Sequence, residues 1–167
     1  MSEGSGTMKK KVASWLMEEH FTLSEKSDPK TYFNLSIERG KFIGTVAAPR
    51  ISEGIIVGGG MNLAPLASSA YQELQDDRKK ACFYDVIMHL LSNPSIADWH
   101  IGPKPPSEFT LVRWASKPLF ADTITKESLI STISDLYKAM AGVETILSKH
   151  TGTIAPGRAD SGASFYG

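Results

Sequence analysis

The sequence has little of what usually announces chemistry. It has one cysteine, Cys82, among 167 residues. No intrachain disulfide can form, and a reducing, cytoplasmic setting is expected. The four histidines, His20, His89, His100 and His150, show no metal-ligand spacing with one another or with Cys82. No metal or other cofactor is therefore expected. Neither sign of charge is in excess, since 18 Lys and Arg residues balance 18 Asp and Glu residues. That balance argues against a protein that grips a nucleic-acid backbone. No apolar run approaches the ~18 residues of a membrane span, and no basic segment followed by an apolar one opens the chain as a signal peptide would. A Gly-x-Ser-x-Gly elbow is missing as well, which removes the usual hydrolase signal. The acidic pairs Glu18-Glu19 and Asp76-Asp77 are adjacent in sequence. On a helix they point in different directions and make poor acid–base pairs. Asp85 precedes His89 by one helical turn, a spacing that commonly gives a surface contact. None of these residues raises an enzyme above background, so a non-enzyme is favoured and an enzyme is kept as the alternative.

What is present is an ordinary balance for one globular domain, with 41% apolar and 22% charged residues. Residues 1–7 are small and polar and predict a disordered leader. Residues 8–152 predict one domain, and the Gly-, Ala- and Ser-rich residues 153–167 a flexible tail that ends in Phe165-Tyr166-Gly167. A first helix is expected over 8–20, with Val12, Trp15 and Leu16 on one side. The triple lysine Lys9-Lys10-Lys11 fits a solvated first turn. Phe33, Leu35 and Ile37 alternate with Asn34 and Ser36, as in a strand with one buried face. Gly40 suits a tight hairpin turn into a second strand over 42–48. A third strand follows over 54–57. Ser69 and Gln72 fit a capping box that opens a second helix. Phe83, Val86, Ile87, Leu90 and Leu91 form its apolar stripe, and Asp76 to Lys80 are either solvated or a break between two helical pieces. Cys82 beside that stripe is read as a small buried hydrophobe. Strands are expected over 96–101 and 108–115, joined by the stiff, polyproline-like Gly102-Pro103-Lys104-Pro105-Pro106. The last helix starts at an N-cap, Thr125, with Ile124 stapled to Leu129, and ends at Gly152.

Strand runs separated by helices predict an α+β fold of order α-βββ-α-ββ-α, with a mainly antiparallel five-stranded sheet packed by helices. Two features point to a homodimer. In the fifth strand Phe109 and Leu111 face one way and Val112 and Trp114 the other, so both faces need cover. The final helix is about 37 Å long at 1.5 Å per residue, which is long for a small domain. The expected partner or dimer surface comprises Trp99, Val112, Trp114, Tyr137 and Met140. Gly58, Gly59, Gly60 and Asn62 form a glycine-rich turn that is the alternative, a ligand cleft. It lacks the Gly-Lys-Ser/Thr ending of a phosphate loop.

Three segments together resemble a known family. They are Asp28-Pro29 before the strand at 32–37, Ile56-Val57 running through Gly58 to Leu63-Ala64-Pro65, and Leu119-Phe120-Ala121-Asp122-Thr123-Ile124-Thr125-Lys126 at the last helix. The set is similar to an archaeal family of small domains of unknown function, grouped with the type III secretion chaperone-like fold, over roughly residues 8–150. The resemblance implies the same α-βββ-α-ββ-α order. It also implies a dimer that binds extended segments of partner proteins, and it carries over no catalytic or binding residue. The main functional expectation is a non-catalytic, chaperone-like protein-interaction module. The alternative is a small-molecule or nucleotide binder, or an enzyme, at residues 58–62.

Overall fold

The computed structural model describes residues 2–63, 65–120 and 122–153. The chain runs α1 (Ser2–Glu18), β1 (Thr22–Glu25), β2 (Thr31–Arg39), β3 (Phe42–Pro49), β4 (Gly54–Asn62), α2 (Pro65–Gln72), α3 (Asp76–Ser92), β5 (Ile96–Lys104), β6 (Glu108–Ser116), β7 (Leu119–Phe120) and α4 (Lys126–Thr151). All strand pairs are antiparallel, in the order β1-β2-β3-β4-β6-β5, with β7 on β4. The α+β class is as expected, but the sheet has seven strands rather than five. The two additional strands are four and two residues long. Both are too short to show a period.

Three further expectations are corrected. Helical backbone begins at Ser2 rather than Met8, so most of the expected leader continues α1; extending a helix costs far less than nucleating one. The second helix is two, α2 and α3, broken at Glu73, Leu74 and Gln75. α2 opens at Pro65, a residue suited to the first helical position, rather than at a Ser69 capping box. The proline-rich connector is the β5–β6 hairpin, with Lys104 paired to Glu108 and cis bonds at Gly102-Pro103 and Pro105-Pro106. The expected tail lies outside the described residues from position 154 onward.

The hairpin between β2 and β3 closes with Gly40 and Lys41, Gly40 taking φ 62°. Phe33, Leu35 and Ile37 are buried as the alternation requires. The helices gather on one sheet face, where α4 packs against α1, α2, α3, β4 and β6. Its inward stripe, Leu129, Ile133, Leu136, Met140, Val143 and Leu147, is buried along its whole length. No part of the stripe is left over for a second subunit, so the length of α4 gives no case for a dimer. Thr125 caps α4 by accepting from the Ser128 N–H at 3.1 Å. Gly152, at φ 70°, closes the other end by donating to the Ser148 carbonyl at 2.8 Å. α1 ends without glycine. His20 takes φ 62°, its N–H donates to the Met17 carbonyl, and the Phe21 N–H donates to the Leu16 carbonyl. This is the paired-bond helix terminus in which the left-handed residue is usually glycine.

Candidate functional site

The residues expected to form a partner surface fall in different places. Val112, Trp114 and Met140 are buried in the protein's own core, and Trp99 is half-buried against it. Tyr137 is 43% exposed. The two-faced reading of β6 fails for a geometric reason. The β5–β6 register shifts so that Gly102 faces Leu111 while Pro103 faces Phe109. Thr110 is the bulged residue, and a bulge reverses the parity of everything before it. Phe109 therefore joins Val112 and Trp114 on the helix side, where its ring meets Tyr71 edge-on at 5.3 Å.

The glycine-rich segment is also relocated. Gly58, Gly59 and Gly60 lie inside β4, not in a turn, and their backbone is paired toward β6, Gly58 and Gly59 also toward β3. A Cβ at Gly59 would lie 3.0 Å from Trp114 Nε1, and one at Gly60 would lie 2.8 Å from the Val112 carbonyl oxygen. The glycines admit close strand and indole approach. Asn62 ends the same strand.

Two other features stand out. The first is the flank formed by β5 and α3. β5 ends the sheet, and its nine residues pair with β6 alone among the described residues. α3 packs on β5 and on α4, with Cys82, Val86 and Leu90 turned inward. On its opposite side Tyr84, Met88 and Leu91 are exposed by 61%, 46% and 62%. Their i, i+4, i+7 spacing makes them one outward stripe. The sequence expectation puts Leu91 on the buried stripe; in the structure Cys82 takes that place and Leu91 points outward.

The second is a cleft of about 300 Å3 between the β2–β3 hairpin and α4. Arg39, Lys41, Phe42, Ser134 and Tyr137 line it. The Arg39 guanidinium rests 4.5 Å from the centre of the Phe21 ring. Its Nη1 donates to the Glu19 carbonyl at 3.2 Å. Tyr137 meets Phe42 edge-on at 6.1 Å. Sequence reasoning missed this site because Arg39 and Lys41 are nearly a hundred residues from Ser134 and Tyr137.

Several ionisable groups elsewhere are tied into the fold. Cys82 is fully buried, and burial, followed by the nearby Asp85 charge, pushes its thiol up to about 12. A protonated thiol is a poor nucleophile. Asp85 does not pair with His89. It meets His150 of α4 at 2.8 Å, while His89 Nε2 donates to the Ala139 carbonyl at 3.1 Å. Burial also raises the Tyr71 phenol, whose hydroxyl donates to the Pro106 carbonyl at 2.7 Å. Ser116 closes the gap between β6 and β7 by accepting the Val57 N–H at 3.0 Å. Lys9 pairs with Glu25, and Lys11 sits 4.8 Å over the Trp15 ring, so the lysine run is not a free basic patch. Among the described residues no cluster of three His, Cys, Asp or Glu side chains could hold a metal ion, and no helix is long and apolar enough to cross a membrane.

The fold thus defines a class: an antiparallel sheet with helices on one face, an open edge strand and a small cationic cleft. The chain belongs to the DUF2299 family of uncharacterized conserved proteins, whose model matches residues 8–147. Its fold is shared with the crystal structure of an uncharacterized protein from Methanothermobacter thermautotrophicus, at a TM-score of 0.78 and 18% identity. That match covers 87% of this chain and 99% of the other. No curated protein matches the chain.

Proposed function

We propose that this protein is a non-catalytic protein-interaction module of the type III secretion chaperone-like kind, working in the cytoplasm as a homodimer. The observation that carries this reading is the coincidence on one flank of an open nine-residue edge strand, β5, and an exposed apolar stripe on the adjoining α3. An unpaired edge recruits another strand. A second copy is the occupant that fits, because a two-fold axis perpendicular to the sheet, beside the middle of β5, continues the sheet by antiparallel pairing and keeps the two α3 helices on the same side. A register centred on Ile101 sets Asp98 of one copy opposite Lys104 of the other, twice per dimer. The zero net charge adds no like-charge repulsion. The opposite edge, β1, stays open in such a dimer, and its mostly exposed residues can accept an extended segment of a partner protein. The single buried thiol suits a reducing compartment.

Sedimentation equilibrium tests the assembly. At about 100 µM the wild-type protein is expected to be dimeric, and Leu91→Glu monomeric with an unchanged circular-dichroism spectrum. A wild-type monomer at that concentration contradicts the proposal.

A further inference from the structure

We propose that the cleft between the β2–β3 hairpin and α4 is a binding site for a small organic carboxylate with a flat apolar body. The cleft is one-signed in a chain whose charges balance overall. Arg39 and Lys41 line it, and among the described residues no carboxylate does. The Glu19 carboxylate, which feels the Arg39 charge, is paired with Lys126 at 2.8 Å. Among the described residues Arg39 makes no ion pair with an acidic side chain. Its guanidinium is instead fixed by the Phe21 ring and the Glu19 carbonyl. One N–H is used in that way, and the rest of the planar fork is available for the paired hydrogen bonds that suit a carboxylate. The positive φ of His20 lets the chain turn back after α1, which places both the Phe21 ring and the Glu19 carbonyl under Arg39.

The rest of the lining sets the shape of the ligand. Phe42 and Tyr137 form an edge-on aromatic pair, with Ile133 beside them. They offer apolar contact to a ring or branched chain, and the Ser134 hydroxyl supplies a further hydrogen bond. A volume of about 300 Å3 limits the guest to a small molecule or the last residue of a peptide. Both sources present the same chemistry, a carboxylate on an apolar body.

The test is a titration of isotope-labelled protein followed by backbone amide shifts, with benzoate, N-acetylphenylalanine, benzamide and inorganic phosphate as probes. Benzoate or N-acetylphenylalanine is expected to give saturable shifts confined to residues 39–42 and 133–137. Benzoate alone assigns a free small molecule, and N-acetylphenylalanine alone assigns a peptide end. Arg39→Gln, with the remaining spectrum unchanged, is expected to weaken binding about tenfold or more through loss of charge-assisted hydrogen bonds. Lack of saturation by both carboxylates at about 10 mM overturns the proposal. So does equal binding of benzamide, which lacks the charge, or of phosphate, which lacks the apolar body.

Discussion

Gly142 lies in the interior of α4, where alanine is the better helix former by about 0.5–1 kcal/mol. On propensity alone, Gly142→Ala should stabilise the protein. The structure reverses that sign. A Cβ at position 142 would overlap Nε2 and Cε1 of His89, which crosses Gly142 from α3 to reach the Ala139 carbonyl. The imidazole would have to swing away. It would lose a hydrogen bond worth ~1 kcal/mol and would adopt a poorer rotamer at ~1 kcal/mol. Some half-buried packing against α4 would go with it. Set against the propensity gain, Gly142→Ala is expected to destabilise by about 1–2 kcal/mol. In a His89→Ala background the obstacle is gone, and the same change is expected to stabilise by about 0.5–1 kcal/mol. The coupling between the two sites is then about 2 kcal/mol. Urea unfolding at one fixed protein concentration, followed by tryptophan fluorescence, measures all four proteins. Additive effects, with Gly142→Ala stabilising in both backgrounds, would refute the placement of His89 across α4.

Other outcomes follow from the ionisable groups. Cys82 is expected to resist a disulfide reagent in the native protein and to react quickly in denaturant, because burial holds it protonated to about 12; rapid stoichiometric labelling of the folded chain would contradict this. Lys126 holds the Glu18 and Glu19 carboxyls below their ordinary value. Carboxyls depressed on folding add stability that is complete above the ordinary carboxylate range and is lost as pH falls through their lowered values. Lys126→Met is therefore expected to be less stable than wild type near neutral pH. The gap should close in acid, as denaturation curves at about pH 7 and about pH 2 would show. A gap that persists in acid would assign the effect to packing of the lysine stem instead. Glu18 is exposed and Lys126 and Glu19 are half-buried at the surface, so the difference should be small.

The elements with local signals were legible from the sequence. α4 carries its own start at Thr125, its staple at Ile124 and its stop at Gly152. The β2 alternation and the glycine at position 40 are equally local. Features that depend on distant chain were not legible. The Thr110 bulge is set by the pairing with β5, and it turned one inward face into two apparent ones. Gly58 to Gly60 look like a loop because nothing nearby reveals that Trp114 and Arg113, more than fifty residues later, need the space. β1 and β7 are held by their neighbours and have no pattern of their own. Tyr84, Met88 and Leu91 have apolar helical spacing, but so does the inward stripe that the sequence reading followed. Which side of α3 faces the core is decided by α4. The cleft joins a hairpin to a helix far along the chain, and only the folded geometry brings Arg39 and Tyr137 to one wall.

In the proposed homodimer, β5 is an edge only in the isolated subunit. Amide hydrogen exchange across 96–104, measured over a range of protein concentrations, tests it most directly. Outward-facing β5 amides are expected to become more protected as concentration rises, while amides paired to β6 stay constant. Fast exchange of the outward amides at every concentration would contradict it.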